Sequence, residues 1–367
     1  MTRDKGIFIK NIYYMLAYAF KVLRQKNYEE IEAEEFETIQ DLFAAILAKG
    51  ISQQLKQGLY REYVTKNENL SVLRGKLNIH ETIRNQMQRK MILACEYDEL
   101  SVNNIFNQIL KTTVVVLLQD AEIKPKRKVV LKKVLLFFDE IETVKPDSIQ
   151  WNRLQYQRNN RTYEMLMNIC YFVLDGMIQT TENGNYRMTA FSEKHMHRLF
   201  ENFVLEYYKK HHSYFAEIRS AQVKWNLSEG TEENMIRFLP VMQTDIFLKY
   251  KDQVLIIDTK YYEKILRDHY DKAILHSENL YQIFTYVKNL DVTGSGKVSG
   301  LLLYARTEEA ISPDGSYMMG GNKIGVKTLD LNKEFRWIAA QLDEIVKEYF
   351  ELIDSTLELI SLKHRKR

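Results

Sequence analysis

Cysteine and proline are scarce in this sequence, two and four among 367 residues. Cys95 and Cys170 lie far apart in apolar surroundings, and no CxxC or Cys/His spacing occurs. That argues against a disulfide framework and a zinc module, and makes a reducing, cytoplasmic setting the expectation. No apolar run approaches the roughly 18 residues a membrane span needs. The opening MTRDKGIFIKN has no signal-like apolar core, so neither secretion nor membrane insertion is expected. No internal repeat or low-complexity stretch is found, and glycine is modest at 14. An excess of one charge is missing too: 52 Lys and Arg stand against 49 Asp and Glu, a net +3 that does not by itself declare a nucleic-acid binder.

What is present is the composition of a globular chain, 45% hydrophobic and 28% charged. Its length suits two domains. Tyrosine (23) and phenylalanine (17) are plentiful and, with many lysines, favour a surface that stacks or grips something. Charge is uneven: KPKRKVVLKK, residues 124 to 133, holds cations and no acid, and the chain ends in KHRKR. These segments read either as a solvated helix face and a tail or as phosphate contacts.

Periodicity predicts a helix over Asn11 to Leu23, apolar on all faces, and another around Ile39 to Leu59. Residues 60 to 80 read as strands with KNEN as their turn and Gly75 as a bend. Helices are expected over Asn103 to Gln119, then from the basic segment to Ile141, with a break at Lys145-Pro146-Asp147. A domain boundary is placed in the polar stretch ending near residue 160, giving a domain over 1–160 and a second over 161–367. The second begins with helices near Thr162 to Gln179 and Ser192 to Lys210. A hairpin over residues 239 to 264 follows, then a helix over Ser277 to Leu290, a strand over Val298 to Ala305, and a long helix from about Lys333. The fold class is therefore mixed, α+β or α/β.

The hairpin LPVMQTDIFLKYKDQVLIIDTKYYEK carries the chemistry. Charged groups at the end of so apolar a strand cost stability unless compensated. Centring the turn between Lys251 and Asp252 sets Asp245 opposite Asp258, with Cβ atoms roughly 4.5 to 5.5 Å apart, whereas a three-residue loop would shift the register by a residue or so. Lys260 then shares that face, while Thr259 points the other way. Like charges facing each other destabilise a sheet. A Mg²⁺ ion would reverse the sign, because it takes oxygen ligands, usually one or two carboxylates with substrate phosphate. With Lys260 to orient or deprotonate a water, this equipment suits phosphodiester hydrolysis. Only Asp258 among the aspartates is followed two positions later by lysine. A cross-strand ion pair at a strand end accounts for the same residues.

Two other motifs say less. GSGK, residues 294 to 297, lacks the outer positions of a nucleotide loop, having Asp291 and Val298 where Gly and Ser or Thr belong, and reads as a turn. His195 and His197 stand two apart on a helix and so do not share a face, which weighs against a metal pair.

Six stretches in order, NIYYMLAYAF (11–20), RGKL (74–77), LPVMQTDIFL (239–248), LIIDTKYY (255–262), HSENLYQIFTYV (276–287) and GLLLY (300–304), resemble the McrC family. Its members are nuclease subunits of modified-cytosine restriction systems within the PD-(D/E)xK superfamily. The resemblance implies a mixed N-terminal domain that docks on a partner, followed by a restriction-endonuclease-like domain, a central mixed sheet flanked by helices. It makes Asp245 and Asp258 the metal-binding carboxylates and Lys260 the catalytic lysine, although Thr244 stands where the superfamily name has proline. Glu201, with Glu206 second, is the candidate for an added acid on the first helix. Gln282 and Tyr286 are similar to the Q-x-x-x-Y element of RecB-like nucleases. The implied function is Mg²⁺-dependent cleavage of double-stranded DNA carrying modified cytosine, with stimulation of a McrB-like AAA+ ring that itself binds GTP. An adaptor of such a ring with a degenerate site, or a nuclease for other nucleic acids, are the alternatives.

Overall fold

The computed structural model describes residues 3–4, 7–19, 31, 34–157, 160, 162–175, 178–180, 186–188, 193–261, 266–269, 272–306 and 313–352. The chain forms two compact units, one of Met1–Ile39 with Phe191–Arg367 and one of Gln40–Ala190. The boundary expected near residue 160 thus falls inside the second unit, and the N-terminal segment belongs with the C-terminal half. The reason lies in α1 (Ile9–Ala19), which packs on the helix Glu193–His211. Tyr18 of α1 meets Phe203 and Tyr207, and its hydroxyl lies 2.7 Å from His211 Nε2. The buried Asn11 amide donates to the carbonyls of Leu331 and Lys333, each at 2.7 Å. Residues 20–23 of the expected helix and the KHRKR end lie outside the described residues.

The Gln40–Ala190 unit holds helix α2 (Ile39–Gln57), strands β1 (Glu62–Leu70) and β2 (Lys76–Leu77), helix α3 (Ile79–Met87), strand β3 (Leu93–Ser101), and helices α4 (Ile105–Gln119), α5 (Pro125–Leu135) and α6 (Tyr163–Leu174). KNEN is not a turn, as expected, but part of β1, which pairs antiparallel with β3 from Glu62↔Ser101 to Leu70↔Leu93. Cross-strand polar pairs sustain it: Thr65 donates to Asp98 and Tyr97 to Glu68, both at 2.7 Å. Gly75 does make a bend, at φ 69°, and a Cβ there would lie 2.4 Å from the Glu96 carbonyl. The basic segment is itself helix α5, burying only Leu131 and Val134. Asn107, fully buried, ties the unit together by donating to the Tyr60 and Val102 carbonyls and accepting from the Tyr163 hydroxyl.

The C-terminal unit comprises α7 (Glu193–His211), β4 (Glu217–Val223), β5 (Met242–Tyr250), β6 (Gln253–Lys260), α8 (Ser277–Leu290), β7 (Val298–Ala305), β8 (Gly315–Met319), β9 (Asn322–Leu329) and α9 (Phe335–Phe350). Helix 277–290 and strand 298–305 fall where expected; β4, β8 and β9 were not anticipated. One mixed six-stranded sheet runs β8-β9-β7-β6-β5-β4, with β7 parallel to β6 and β9 and the other pairs antiparallel. β6 and β7 are nearly continuous apolar runs because they lie at its centre. α8 connects them and covers the face that carries Phe247, Ile256, Leu302 and Tyr304. Gly300 permits its close approach: a Cβ there would meet Ile283 at 2.7 Å and Val287 at 2.9 Å. The turn after α8 closes on Asp291, whose carboxylate takes the amides of Ser295 and Gly296, so GSGK is the turn it was expected to be. Among the described residues no helix is long and apolar enough to cross a membrane.

Candidate active site

The hairpin turns on Lys251 and Asp252, with Lys251 at φ 54°. The register is the expected one, running from Gln253↔Tyr250 to Ile257↔Ile246. There the β5–β6 ladder stops, one residue before Asp258 and Asp245 would pair. On its other side β5 is bulged: Arg219 pairs with Phe247 and Ala221 with Thr244, so Asp245 and Ile246 stand against Ser220 alone. Thr244 stitches the bulge, its hydroxyl bonding both the amide and the carbonyl of Ala221 at 3.1 Å. Bulges re-aim side chains at the edge of a ladder. This one sends the Asp245 carboxylate to Thr259, whose amide and hydroxyl both donate to Asp245 Oδ2 at 2.7 Å. Strict alternation turned Thr259 away from Asp245; with the ladder ended, its hydroxyl reaches that carboxylate.

Asp258 and Lys260 project from the last residues of β6, at 1% and 9% exposure. Lys260 Nζ lies 2.7 Å from Asp258 Oδ2. Among the described residues no donor other than this ammonium reaches the buried oxygen. Burial first, and the charge of Asp245 second, push the Asp258 carboxyl up to about 7, against the pull of Lys260. Lys260 Nζ also donates to Gln282 Oε1 at 3.2 Å, and Gln282 Nε2 donates to the Tyr286 hydroxyl at 2.8 Å. The two α8 residues, four apart and hence on one face, thus join the lysine in a hydrogen-bonded row.

Glu201 enters from α7, whose stripe of Met196, Leu199, Phe200 and Phe203 is buried and leaves Glu201 half-buried beside it. Burial and the nearby Asp245 push its carboxyl up to about 7; Arg198 opposes, Asp258 adds, and Lys260 opposes. It therefore senses every charge of the hairpin site. Glu206 pairs instead with Lys209 on its own helix at 2.7 Å. The structure thus gathers Asp245, Asp258, Lys260, Glu201, Gln282 and Tyr286 at one end of the sheet. Two neighbours escaped sequence reasoning. Thr259 was set aside by alternation, and His197, whose Nε2 bonds the Thr259 carbonyl at 2.8 Å, was weighed only as a partner of His195. Its spacing of four from Glu201 was the available signal.

Among the described residues no three His, Cys, Asp or Glu side chains form a ready-made metal cage. A hard cation such as Mg²⁺ does not need one, since it keeps several waters and takes one or two carboxylates. The donors suit it. Asp258 offers a buried oxygen met only by the Lys260 ammonium among the described residues, and Asp245 concentrates both of its hydrogen bonds on Oδ2, leaving Oδ1. Three carboxylates and one ammonium within one another's field also make an anionic surplus that a cation would relieve.

The family model described as McrBC 5-methylcytosine restriction system component matches residues 3–305. The chain is 27% identical over 345 residues to the Type IV methyl-directed restriction enzyme EcoKMcrBC of Escherichia coli (strain K12), covering 94% of this chain and 98% of that protein. Its fold is similar to a chain in the half-complex from a tetradecameric assembly of Thermococcus gammatolerans McrB AAA+ hexamers with bound McrC. That likeness has a TM-score of 0.50 at 17% identity and covers 92% of this chain and 76% of the other. With most of its length matched by the family model, the chain belongs to the McrBC 5-methylcytosine restriction system component family.

Proposed function

We propose that this chain is the McrC-type endonuclease subunit of a modified-cytosine-directed restriction complex, cleaving double-stranded DNA with Mg²⁺ and docking on a McrB-like AAA+ ring that hydrolyses GTP. The observation that carries the reading is Asp258 Oδ2, buried with the Lys260 ammonium as its one donor among the described residues and within the field of Asp245 and Glu201. Asp245 and Asp258 would hold the ion, with Glu201 as an added acid facing them. When bound, Mg²⁺ supplies Lewis-acid polarisation of a phosphate oxygen and acidifies water.

The remaining work falls to side chains. Lys260 is held between the Asp258 carboxylate and the Gln282 amide oxygen, so its ammonium is aimed where a proton can be exchanged with water and where phosphate charge can be met. Gln282 is fixed in turn by Tyr286, whose hydroxyl accepts from it and keeps its own hydrogen for a substrate oxygen. The partner reading rests on family membership, and GTP is assigned to the partner because the amides of the GSGK turn are committed to Asp291.

The test is cleavage of methylated and unmethylated DNA by the chain with its AAA+ partner, omitting Mg²⁺, GTP or the partner in turn. Cleavage only in the full methylated mixture supports the reading. Stimulation of the partner's GTPase with no cleavage would replace it with the adaptor reading.

A further inference from the structure

We propose that His197 and Thr259 are positioning residues that replace the missing β5 ladder bonds at the end of β6 and so fix the two side chains flanking Thr259. This rests on the reading of Asp258 and Lys260 given above. In a strand, the amide and carbonyl of one residue point to the same side. For Thr259 that side faces β5, but the β5–β6 ladder ends at Ile257↔Ile246, while on the opposite side β7 stays paired as far as Lys260↔Tyr304. Thr259 is fully buried, and buried backbone groups need partners. Side chains supply them. The amide goes to Asp245 Oδ2 at 2.7 Å, and the carbonyl receives the His197 Nε2 hydrogen at 2.8 Å. Because a carbonyl only accepts, Nε2 must carry the proton; that nitrogen is committed and is not a metal donor.

Three hydrogen bonds therefore grip a single residue, the third being the Thr259 hydroxyl to Asp245. Asp258 precedes it and Lys260 follows it, so the angle between ion-binding carboxylate and lysine is set by this peptide. His197 stands four residues before Glu201 and shares its helix face, so the same bond registers Glu201 against the strand end. Removing the imidazole frees the Thr259 carbonyl to turn and displaces Lys260 without touching its chemistry. Partners of this kind typically cost about 10- to 100-fold in activity or metal affinity when lost.

The experiment compares His197→Ala, His197→Gln, Thr259→Val and Thr259→Ser in the full chain with its AAA+ partner. We expect His197→Ala and Thr259→Val to lower kcat about 10- to 100-fold, with KM for DNA changed by less than about 3-fold. Half-saturating Mg²⁺ should rise. His197→Gln, whose amide can still donate, and Thr259→Ser should recover most of the rate. A second readout needs no cleavage: hydrogen exchange of the metal-free chain should quicken over residues 254–261 in His197→Ala, recover in His197→Gln, and stay unchanged over 298–305. Wild-type kcat and exchange in His197→Ala, or a His197→Gln as impaired as alanine by both measures, would overturn the proposal. If His197→Ala does not fold, the Gln variant and the Thr259 pair decide it. If wild type never cleaves, the nuclease reading fails while the exchange result still judges the positioning.

Discussion

Asp258 and Asp291 are both buried in the C-terminal unit, at 1% and 5% exposure, and their surroundings treat them in opposite ways. Asp291 Oδ1 accepts from the Ser295 amide and hydroxyl, and Oδ2 from the Gly296 amide and the Asn322 side chain, at 2.6 to 2.9 Å. Burial pushes its carboxyl up, but these donors outweigh that and hold it down at about 2. Asp258 Oδ2 has one ammonium beside it and, among the described residues, no other donor, and the carboxyl is pushed up to about 7. On the proposed reading, the comparison sets a structural carboxylate against one kept for chemistry. The first is surrounded by the protein's own donors, while the second is desolvated and left short of them, a deficit that a ligand can fill.

Substituting each aspartate should therefore break different things. Asp258→Ala should lower DNA cleavage at least about 1,000-fold, roughly 4 kcal/mol of barrier, while stimulation of the partner's GTPase persists. Asp291→Ala should instead cost about 2 to 3 kcal/mol of stability through its lost charge-assisted hydrogen bonds, read as a lower urea midpoint, with cleavage changed by less than about 3-fold at a temperature where it stays folded. If Asp291→Ala abolished cleavage in a folded chain, or Asp258→Ala left it intact, the division between the two would collapse.

The two aspartates also predict opposite pH behaviour. Asp291 has a lowered folded value, so its contribution to stability is present above its ordinary value near 3.8 and is lost as pH falls toward about 2. Asp258 has a raised value, so its contribution is present below about 3.8 and lost as pH rises through about 7; Glu201 behaves likewise, lost through about 7. In the metal-free chain the ionised site is therefore a liability at pH 8, which on the proposed reading a bound cation would remove. Calorimetry with Mg²⁺ should find affinity at least about 10-fold tighter at pH 8 than at pH 6, with proton release, since at least one carboxyl must ionise across that window. Glu201→Gln should flatten the dependence. Affinity independent of pH would place the ion elsewhere.

Much of this site was legible because a two-residue turn leaves little freedom in register: Lys251-Asp252 fixed the pairing that sets Asp245 near Asp258. Helix 277–290 was legible from its helical period and strand 298–305 as a short, almost wholly apolar run with clear ends. What escaped depends on partners distant in sequence. Nothing local marks α1 as a companion of α7, because Tyr18 and His211 are 193 residues apart. Nor does KNEN announce a strand, since its partner begins at Leu93 and the pairing is carried by polar residues. The bulge at Asp245 was hidden because β4 was not recognised, and with it went the role of Thr259.

The smallest expected effects lie along the row from Lys260 to Tyr286. Gln282→Ala removes a neutral acceptor from an ammonium that keeps its ion pair with Asp258, and a hydrogen bond to a charged group is worth about 1.5 to 3 kcal/mol at most, or roughly 10- to 100-fold. We expect the lower end, about 10-fold in kcat, because a water can enter the half-buried position. Tyr286→Phe removes only what steadies Gln282, a neutral bond worth about 0.5 to 1.5 kcal/mol, and should cost about 3-fold. Since the tyrosine would act through the glutamine, the double variant should be no worse than Gln282→Ala alone, a non-additivity that steady-state kcat on a cleavable duplex can read. Additive losses would mean that the Tyr286 hydroxyl meets substrate directly, placing it in the role proposed for Asp258, a buried polar group whose remaining partner would arrive with the DNA.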